Sequence, residues 1–215
     1  MTDSEKDIGR RRRMVQELKE KGICSEEVLQ AFLQVPRHCF VPSFLYAHAY
    51  EDHALPIACG QTISQPSTVA RQTQLLEVRP KQKILEIGTG TGFQAAILKA
   101  MGAYVYSVER QADLYRETGN RLRELHISIA MKHADGYRGW EESAPFDRIL
   151  LTCAVPEVPQ ELLEQLKPGG ILLAPVGQKM QTMTKIVRDE HSGTIVTTHG
   201  TFQFVPMLQD KTFLK

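Results

Sequence analysis

The sequence predicts an α/β fold: a mostly parallel, seven-stranded sheet with helices on both faces and an N-terminal helical extension. Three observations point to it. From Lys83 onward, short β-rich runs alternate with helical stretches, the pattern of βαβ units. The first of these runs breaks into a glycine turn that opens directly into a helix, over 84–93. The chain is also long enough, at 215 residues with 42% hydrophobic, to bury a sizeable core.

Taken in order, Met14, Val15 and Leu18 recur at helical spacing among charges, predicting an amphipathic helix over 10–21 closed by Gly22. The run Arg10-Arg11-Arg12-Arg13 reads as the solvated face of that helix. Ser25 offers an N-cap, Glu26 and Glu27 suit the positive end of a helix dipole, and Val28, Leu29, Phe32 and Leu33 form a stripe that stops before Pro36. Residues 36–66 carry Pro36, Pro42, Pro56 and Pro66 among aromatics and Gly60. They are too broken for long elements and too apolar for a disordered linker, so an ordered, packed segment is expected. Strands are then expected over 84–87, 104–108, 127–131, 148–152, 171–176, 185–188 and 194–198, with helices over 91–101, 111–125 and 159–166. The last two strands, separated only by a turn around His191-Ser192-Gly193, read as a hairpin that brings in one antiparallel strand. The chain reads as a single domain over 1–215, with segment 1–66 packed on an α/β core over 80–215.

Composition excludes several function classes. Lys+Arg 26 against Asp+Glu 25 leaves a formal charge of +1, so no chain-wide field draws nucleic acid or acidic lipid. Cys24, Cys39, Cys59 and Cys153 are widely spaced without a C-x-x-C, which suits free thiols in a reducing cytoplasm better than disulfides or a zinc cluster. The seven histidines contain neither H-x-x-x-H nor H-E-x-x-H, so no metal is expected. The first ten residues are polar, and no apolar stretch approaches the ~20 residues that span a bilayer. The expectation is a cytoplasmic protein without membrane or nucleic-acid partners.

Chemistry concentrates at Ile84-Leu85-Glu86-Ile87-Gly88-Thr89-Gly90-Thr91-Gly92-Phe93. Glycines after a buried strand permit a tight turn and a close approach of ligand to backbone, at the strand end where open α/β sheets bind ligands. The spacing is G-x-G-x-G, with Phe93 where a dinucleotide fold wants Gly or Ala, which tilts the choice from NAD toward S-adenosylmethionine. Glu109 ends the next strand, 21 residues beyond Gly88, where a carboxylate can accept hydrogen bonds from ribose hydroxyls. Both cofactors carry such a ribose. Asp135-Gly136 ends the third strand, where a carboxylate can meet an adenine amino group.

With these residues in place, the sequence resembles the protein-L-isoaspartate(D-aspartate) O-methyltransferases from about Arg12 to Met207. The most specific block is Leu55-Pro56-Ile57 followed by Gly60-Gln61-Thr62-Ile63-Ser64-Gln65-Pro66. Supporting blocks are Val35-Pro36-Arg37 with Phe40-Val41-Pro42, the glycine turn, Ala144-Pro145-Phe146-Asp147, Pro156-Glu157-Val158-Pro159, Leu166-Lys167-Pro168-Gly169-Gly170 and Phe204-Val205-Pro206-Met207. The resemblance implies a Rossmann-like S-adenosylmethionine-dependent methyltransferase fold, acting on damaged proteins and peptides that contain isoaspartyl residues; a monomer is expected. The implied reaction moves the methyl group to the free α-carboxylate, with S-adenosyl-L-homocysteine as product. The ester then cyclises to a succinimide, whose hydrolysis returns part of the material to aspartyl. A carboxylate with pKa near ~4 is already ionised at neutral pH, so the reaction asks for positioning and exclusion of water rather than a base.

By the same resemblance Ser64 is the active-site serine, orienting the acceptor carboxylate through its hydroxyl. No Gly-x-Ser-x-Gly elbow surrounds it, so it is not read as a nucleophile. Implied cofactor contacts are Gln61, Thr62, Gly88, Thr89, Gly90, Gly92, Glu109, Arg110, Asp135 and Gly136. Ile63, Ser64, Val205, Pro206 and Met207 are the implied substrate contacts. Departures from the pattern are Cys59, often His; Ser67, often His or aromatic; Gln203, often Arg; and His126, commonly Gly. Two alternatives remain at this point: a methyltransferase for another carboxylate or RNA, which leaves block 55–66 unexplained, and a cofactor-binding adaptor without turnover.

Overall fold

The computed structural model describes residues 3–189 and 193–209. Seven strands form one sheet in the order β5-β4-β3-β6-β7-β8-β9: β3 Lys83–Ile87, β4 Tyr104–Glu109, β5 Ala130–His133, β6 Phe146–Leu151, β7 Leu166–Val176, β8 Gln181–Arg188 and β9 Thr194–Phe202. A separate two-stranded ribbon pairs β1 Leu55–Pro56 with β2 Thr62–Ile63. The large sheet is parallel from β5 through β7, and β8 runs antiparallel to both of its neighbours. The chain steps outward from β3 to β4 and β5, then returns to place β6 on the other side of β3. That reversal opens a crevice at the carboxyl ends of β3 and β6, where doubly wound sheets take ligands.

Side-chain alternation along the central strands builds two cores. Leu85 and Ile87, Ile149 and Leu151, and Leu172 and Ala174 point to one face, under Leu162 of α6 (Gln160–Glu164) and Met207. Ile84, Leu150, Ile171 and Leu173 point to the other, under Leu76 of α3 (Pro66–Leu76) and Ala95 and Leu98 of α4 (Phe93–Ala100). A third cluster joins Met14, Leu18, Leu29 and Phe32 of α1 (Glu5–Glu20) and α2 (Glu26–Gln34) to Phe93 and Ile97 of α4. The N-terminal helices therefore pack on the helix that follows the glycine turn.

Helix ends follow the residues expected to cap them. Ser25 accepts from Val28 N at 3.3 Å. Gly22, at φ 86°, closes α1 with bonds from Gly22 N to Lys19 O and from Ile23 N to Leu18 O, both 3.0 Å. Several elements depart from expectation. Helix α1 begins at Glu5, because Ser4 accepts from Asp7 N and starts two polar turns that carry no apolar period. Arg11 is not on the solvated face: it is buried and pairs with Asp3 at 2.6 Å. Strand β5 starts three residues later than expected. His126, at φ 55°, takes the left-handed position that ends α5 (Ala112–Glu124), and Ile127 N bonds back to Leu122 O at 2.8 Å. Ile127 is thus the apolar residue behind a helix end rather than the start of a strand.

Helix α6 is shorter than expected because Leu166 already pairs with Phe146 and belongs to β7. Helix α3, with Pro66 in its first turn, was not anticipated in the sequence. The 36–66 segment is ordered and packed, as expected, with Arg37, His38, Cys39 and Phe40 buried. The β8–β9 hairpin forms, with Asp189 N bonding to Gly193 O at 2.9 Å. His191 and Ser192 of the expected turn lie outside the described residues. None of the described helices is long and apolar enough to cross a membrane.

Candidate active site

The glycine turn follows β3 with Gly88, Gly90 and Gly92 at φ 95°, 53° and 86°. Only Gly adopts all three without strain. Gly88 N and Thr89 N both donate to Val108 O, at 2.9 and 3.3 Å, tying the turn to the end of β4. A β-carbon on Gly88 would sit 2.6 Å from Thr152 Oγ1, so bare backbone forms this part of the floor. Gly92 does different work: it is the N-cap of α4, and an added β-carbon would meet Thr118 Cγ2 at 2.9 Å. It packs the helix closely and does not line the cleft.

Glu109, at the carboxyl end of β4, is 6% exposed. Its Oε2 accepts from Gly90 N at 2.9 Å and its Oε1 from Gln111 N at 2.8 Å. Each carboxylate oxygen has a second lone pair, and the side chain borders the cleft. Asp135 is also buried, and its Oδ1 accepts from Tyr137 N at 3.0 Å, holding a short 3₁₀ turn at Gly136–Arg138. Gly136 reaches the cleft directly, pressed so closely on Ile87 that a β-carbon would lie 2.5 Å from its Cγ2.

These elements enclose a cleft of about 620 Å³, partly open to solvent. Of the residues singled out in the sequence, Gln61, Thr62, Gly88, Gly90, Glu109, Arg110, Gly136, Val205, Pro206 and Met207 border it. Ile63, Ser64 and Thr89 border an adjoining cavity of about 370 Å³, and Thr62, Gly88, Gly90 and Thr152 are common to both. Ser64 follows β2 directly and is half-buried, and its hydroxyl makes no hydrogen bond to a described residue. The β1–β2 ribbon holds it there, anchored by Leu55 and Ile63, which are 4% and 5% exposed. Residues 205–207 arrive from far along the chain: Ala154 N donates to Val205 O at 2.8 Å and Met207 N to Ala154 O at 2.7 Å.

Sequence reading missed Thr152 and Cys153, which follow β6 and border the cleft. Their signal was their place at a strand end, which marks the crevice only once β6 is known to lie beside β3. Thr152 Oγ1 donates to Ile87 O and Gly88 O, at 3.0 and 2.6 Å, and braces the turn from below. Burial pushes the Cys153 thiol up to about 12, reinforced by the Glu109 and Glu86 carboxyls, so no thiolate nucleophile stands here. Beneath the turn, fully buried Glu86 accepts from Ser107 Oγ, which shares a 2.6 Å hydrogen bond with Thr89 Oγ1. Burial lifts the Glu86 carboxyl to about 8; the Ser107 hydrogen bond opposes the rise and the Glu109 charge adds to it. Of the departures from the family pattern, Cys59 is exposed and left-handed at φ 59°. Ser67 N is held by Asp52 Oδ1 at 2.8 Å, and Gln203 borders an open groove with Ser67 and Arg71.

A seven-stranded sheet of this order, with a glycine turn and an acidic strand end facing one cleft, defines a Rossmann-like methyltransferase. The family model for protein-L-isoaspartate(D-aspartate) O-methyltransferase matches residues 9–212. The protein-L-isoaspartate O-methyltransferase of Christiangramia forsetii is 47% identical over 98% of this chain and 100% of its own length. That of Flavobacterium psychrophilum is 48% identical with the same coverage. A solved protein-L-isoaspartate O-methyltransferase superposes with a TM-score of 0.84 at 28% identity, covering 91% of this chain and 65% of that one. A Plasmodium falciparum structure in complex with S-adenosyl-L-homocysteine has a TM-score of 0.80 at 24% identity, covering 92% and 98%. The chain belongs to the protein-L-isoaspartate(D-aspartate) O-methyltransferase family.

Proposed function

We infer that the chain repairs damaged proteins by moving the methyl group of S-adenosylmethionine to the free α-carboxylate of L-isoaspartyl and D-aspartyl residues. The observation that carries the site assignment is the half-buried hydroxyl of Ser64, without a hydrogen bond among the described residues, in a cavity that shares four residues with the glycine-turn cleft.

The cleft suits the cofactor chemically. Glu109 offers carboxylate oxygens to ribose hydroxyls, Gly88 and Gly136 present backbone without side chains, and Val108 and Leu114 add apolar wall. Gln61, Thr62, Thr89, Gly90 and Arg110 complete this set, with Asp135 holding Gly136 in place through Tyr137 N. Gly92 acts one step back, by seating α4. When bound, S-adenosylmethionine supplies an electrophilic methyl group.

The chain's own task is orientation. Ser64 donates a hydrogen bond to the acceptor carboxylate, which arrives ionised and needs no base. Ile63 and the extended backbone of Val205, Pro206 and Met207 hold the peptide on either side. Closing the peptide over the shared wall at Thr62 and Thr152 excludes water from the nucleophile. One chain provides all of these groups, which supports a monomer as the working unit, and the four free cysteines suit the cytoplasm.

The test is transfer of labelled methyl to a synthetic isoaspartyl peptide, with its aspartyl twin as control. Transfer to the isoaspartyl form alone is expected. Equal transfer to both, or to neither while cofactor binds, overturns the assignment.

A further inference from the structure

Outside the cleft, the end of the 3₁₀ turn Ser43–His48 and the loop from it to β1 bring together His48, Glu51 and His53. One ligand atom from each lies within 4.8 Å of the other two. Glu51 Oε2 is the hub, sharing a 3.0 Å hydrogen bond with His48 Nδ1 and lying 3.6 Å from His53 Nδ1. A tetrahedral ion with bonds of about 2.0–2.2 Å spaces its ligand atoms about 3.4 Å apart. The two measured separations bracket that edge. We propose that His48, Glu51 and His53 form a binding site for a divalent transition-metal ion, with Zn²⁺ the best fit and its fourth position left to water.

Two features support the geometry. The donor set, two imidazoles and one carboxylate, is the borderline nitrogen and oxygen mixture that Zn²⁺ takes. The backbone that carries it is also fixed, because the residues between the ligands are the ones anchored to the protein. Ala49 and Tyr50 are buried, Arg37 Nε donates to Ala49 O at 2.9 Å, and Tyr50 Oη bonds His38 Nδ1 at 2.7 Å. Asp52 pairs with Lys21 and accepts from Ser67 N. Anchored positions 49, 50 and 52 alternate with positions 48, 51 and 53, whose exposed side chains already meet at Glu51 Oε2, so binding orders only three short side chains. Each of the three side chains is about half exposed, which leaves the ion a path from solvent.

The other cluster of suitable side chains, Asp3, Asp7 and His38, is already committed to partners outside the cluster. Arg11 Nη2 occupies Asp3, while Ser4 and Tyr46 Oη donate to Asp7. The spacing His48-x-x-Glu51-x-His53 matches none of the metal motifs sought in the sequence. The site also stands apart from the proposed methyl transfer. Its reach toward that chemistry is mechanical, since Asp52 bonds the first turn of α3 and residue 55 opens the ribbon that carries Ser64. Occupancy would tie down the segment leading into Ser64 without touching it.

Co²⁺ titration of the chelator-treated full chain, read by absorption, tests the proposal. One equivalent is expected to bind with visible d–d bands, without the near-ultraviolet band of a thiolate ligand, and Zn²⁺ should displace it. His53→Ala and Glu51→Gln should each weaken uptake at least tenfold while leaving methyl transfer in metal-free buffer unchanged. Saturating Zn²⁺ should raise the unfolding midpoint of the parent and not of the variants. Absence of saturable uptake overturns the proposal. So does uptake that both variants retain, or a thiolate band assigning the ion to Cys24 or Cys59.

Discussion

Replacing Glu86 by Gln removes a titration from the middle of β3 while keeping the side chain's shape and a partner for Ser107. The parent carboxyl is fully buried and lifted from the ordinary 4.5 to about 8, chiefly by burial. Between those values the folded chain holds a proton that the unfolded chain has released. The unfolded state therefore binds fewer protons, and stability falls as pH rises through the window. At about 1.4 kcal/mol per pKa unit, the full fall is on the order of 5 kcal/mol, of which roughly 3 kcal/mol is already lost by pH 7. The Gln variant has no such slope. Urea unfolding of both proteins from about pH 4.5 to about pH 9 measures the difference. Near the acid end the two should lie within about 1 kcal/mol, and the variant should gain on the parent with each step upward. A variant-minus-parent difference that moves by less than about 1 kcal/mol across the range would refute a buried, proton-holding Glu86.

Ser64→Ala should lower turnover on isoaspartyl peptide about 10- to 100-fold, the worth of one hydrogen bond to a charged group, with cofactor affinity largely intact. Loss of cofactor binding instead would make Ser64 part of the other subsite. Glu109→Ala should weaken S-adenosylmethionine binding by about the same factor, and calorimetric titrations identical to the parent's would sink the ribose assignment. Gly136→Ala places a β-carbon 2.5 Å from Ile87 Cγ2 and 3.1 Å from Met207 Cε. It should cost about 1–3 kcal/mol in urea unfolding and weaken cofactor binding; an unchanged midpoint would mean that this wall yields freely.

Much of this architecture was readable because its cause is local. A buried strand must read as an apolar run, so Ile84–Leu85–Ile87 and the Ile149–Leu151 stretch announce the sheet before any partner is known. A turn of three left-handed glycines can be made by little else, and Ser25 and Gly22 mark helix ends through bonds to their own neighbours. Where the apolar and charge patterns misled, a specific contact had decided. Ile127 reads as strand but serves the end of α5, Leu166 reads as helix but pairs with Phe146, and Arg11 reads as solvated but is paired with Asp3.

Residues 55–66 carried the family resemblance, and the matches to known relatives place the chain in that family along nearly its whole length. What no local pattern contains is strand order. Placing β6 beside β3 brings Thr152 and Cys153 to the glycine turn, and the Ala154 bridge draws Val205–Met207 across about fifty residues of chain to face Glu109. The same holds for His48, Glu51 and His53, whose spacing matches no motif and whose ligand atoms come together on a backbone pinned at Ala49, Tyr50 and Asp52. The sequence by itself determined most of the elements, the turn and the family, because backbone conformation and burial period are properties of neighbouring residues. Tertiary structure alone decided which strand ends meet, because that depends on how buried apolar faces pack between segments far apart in the chain.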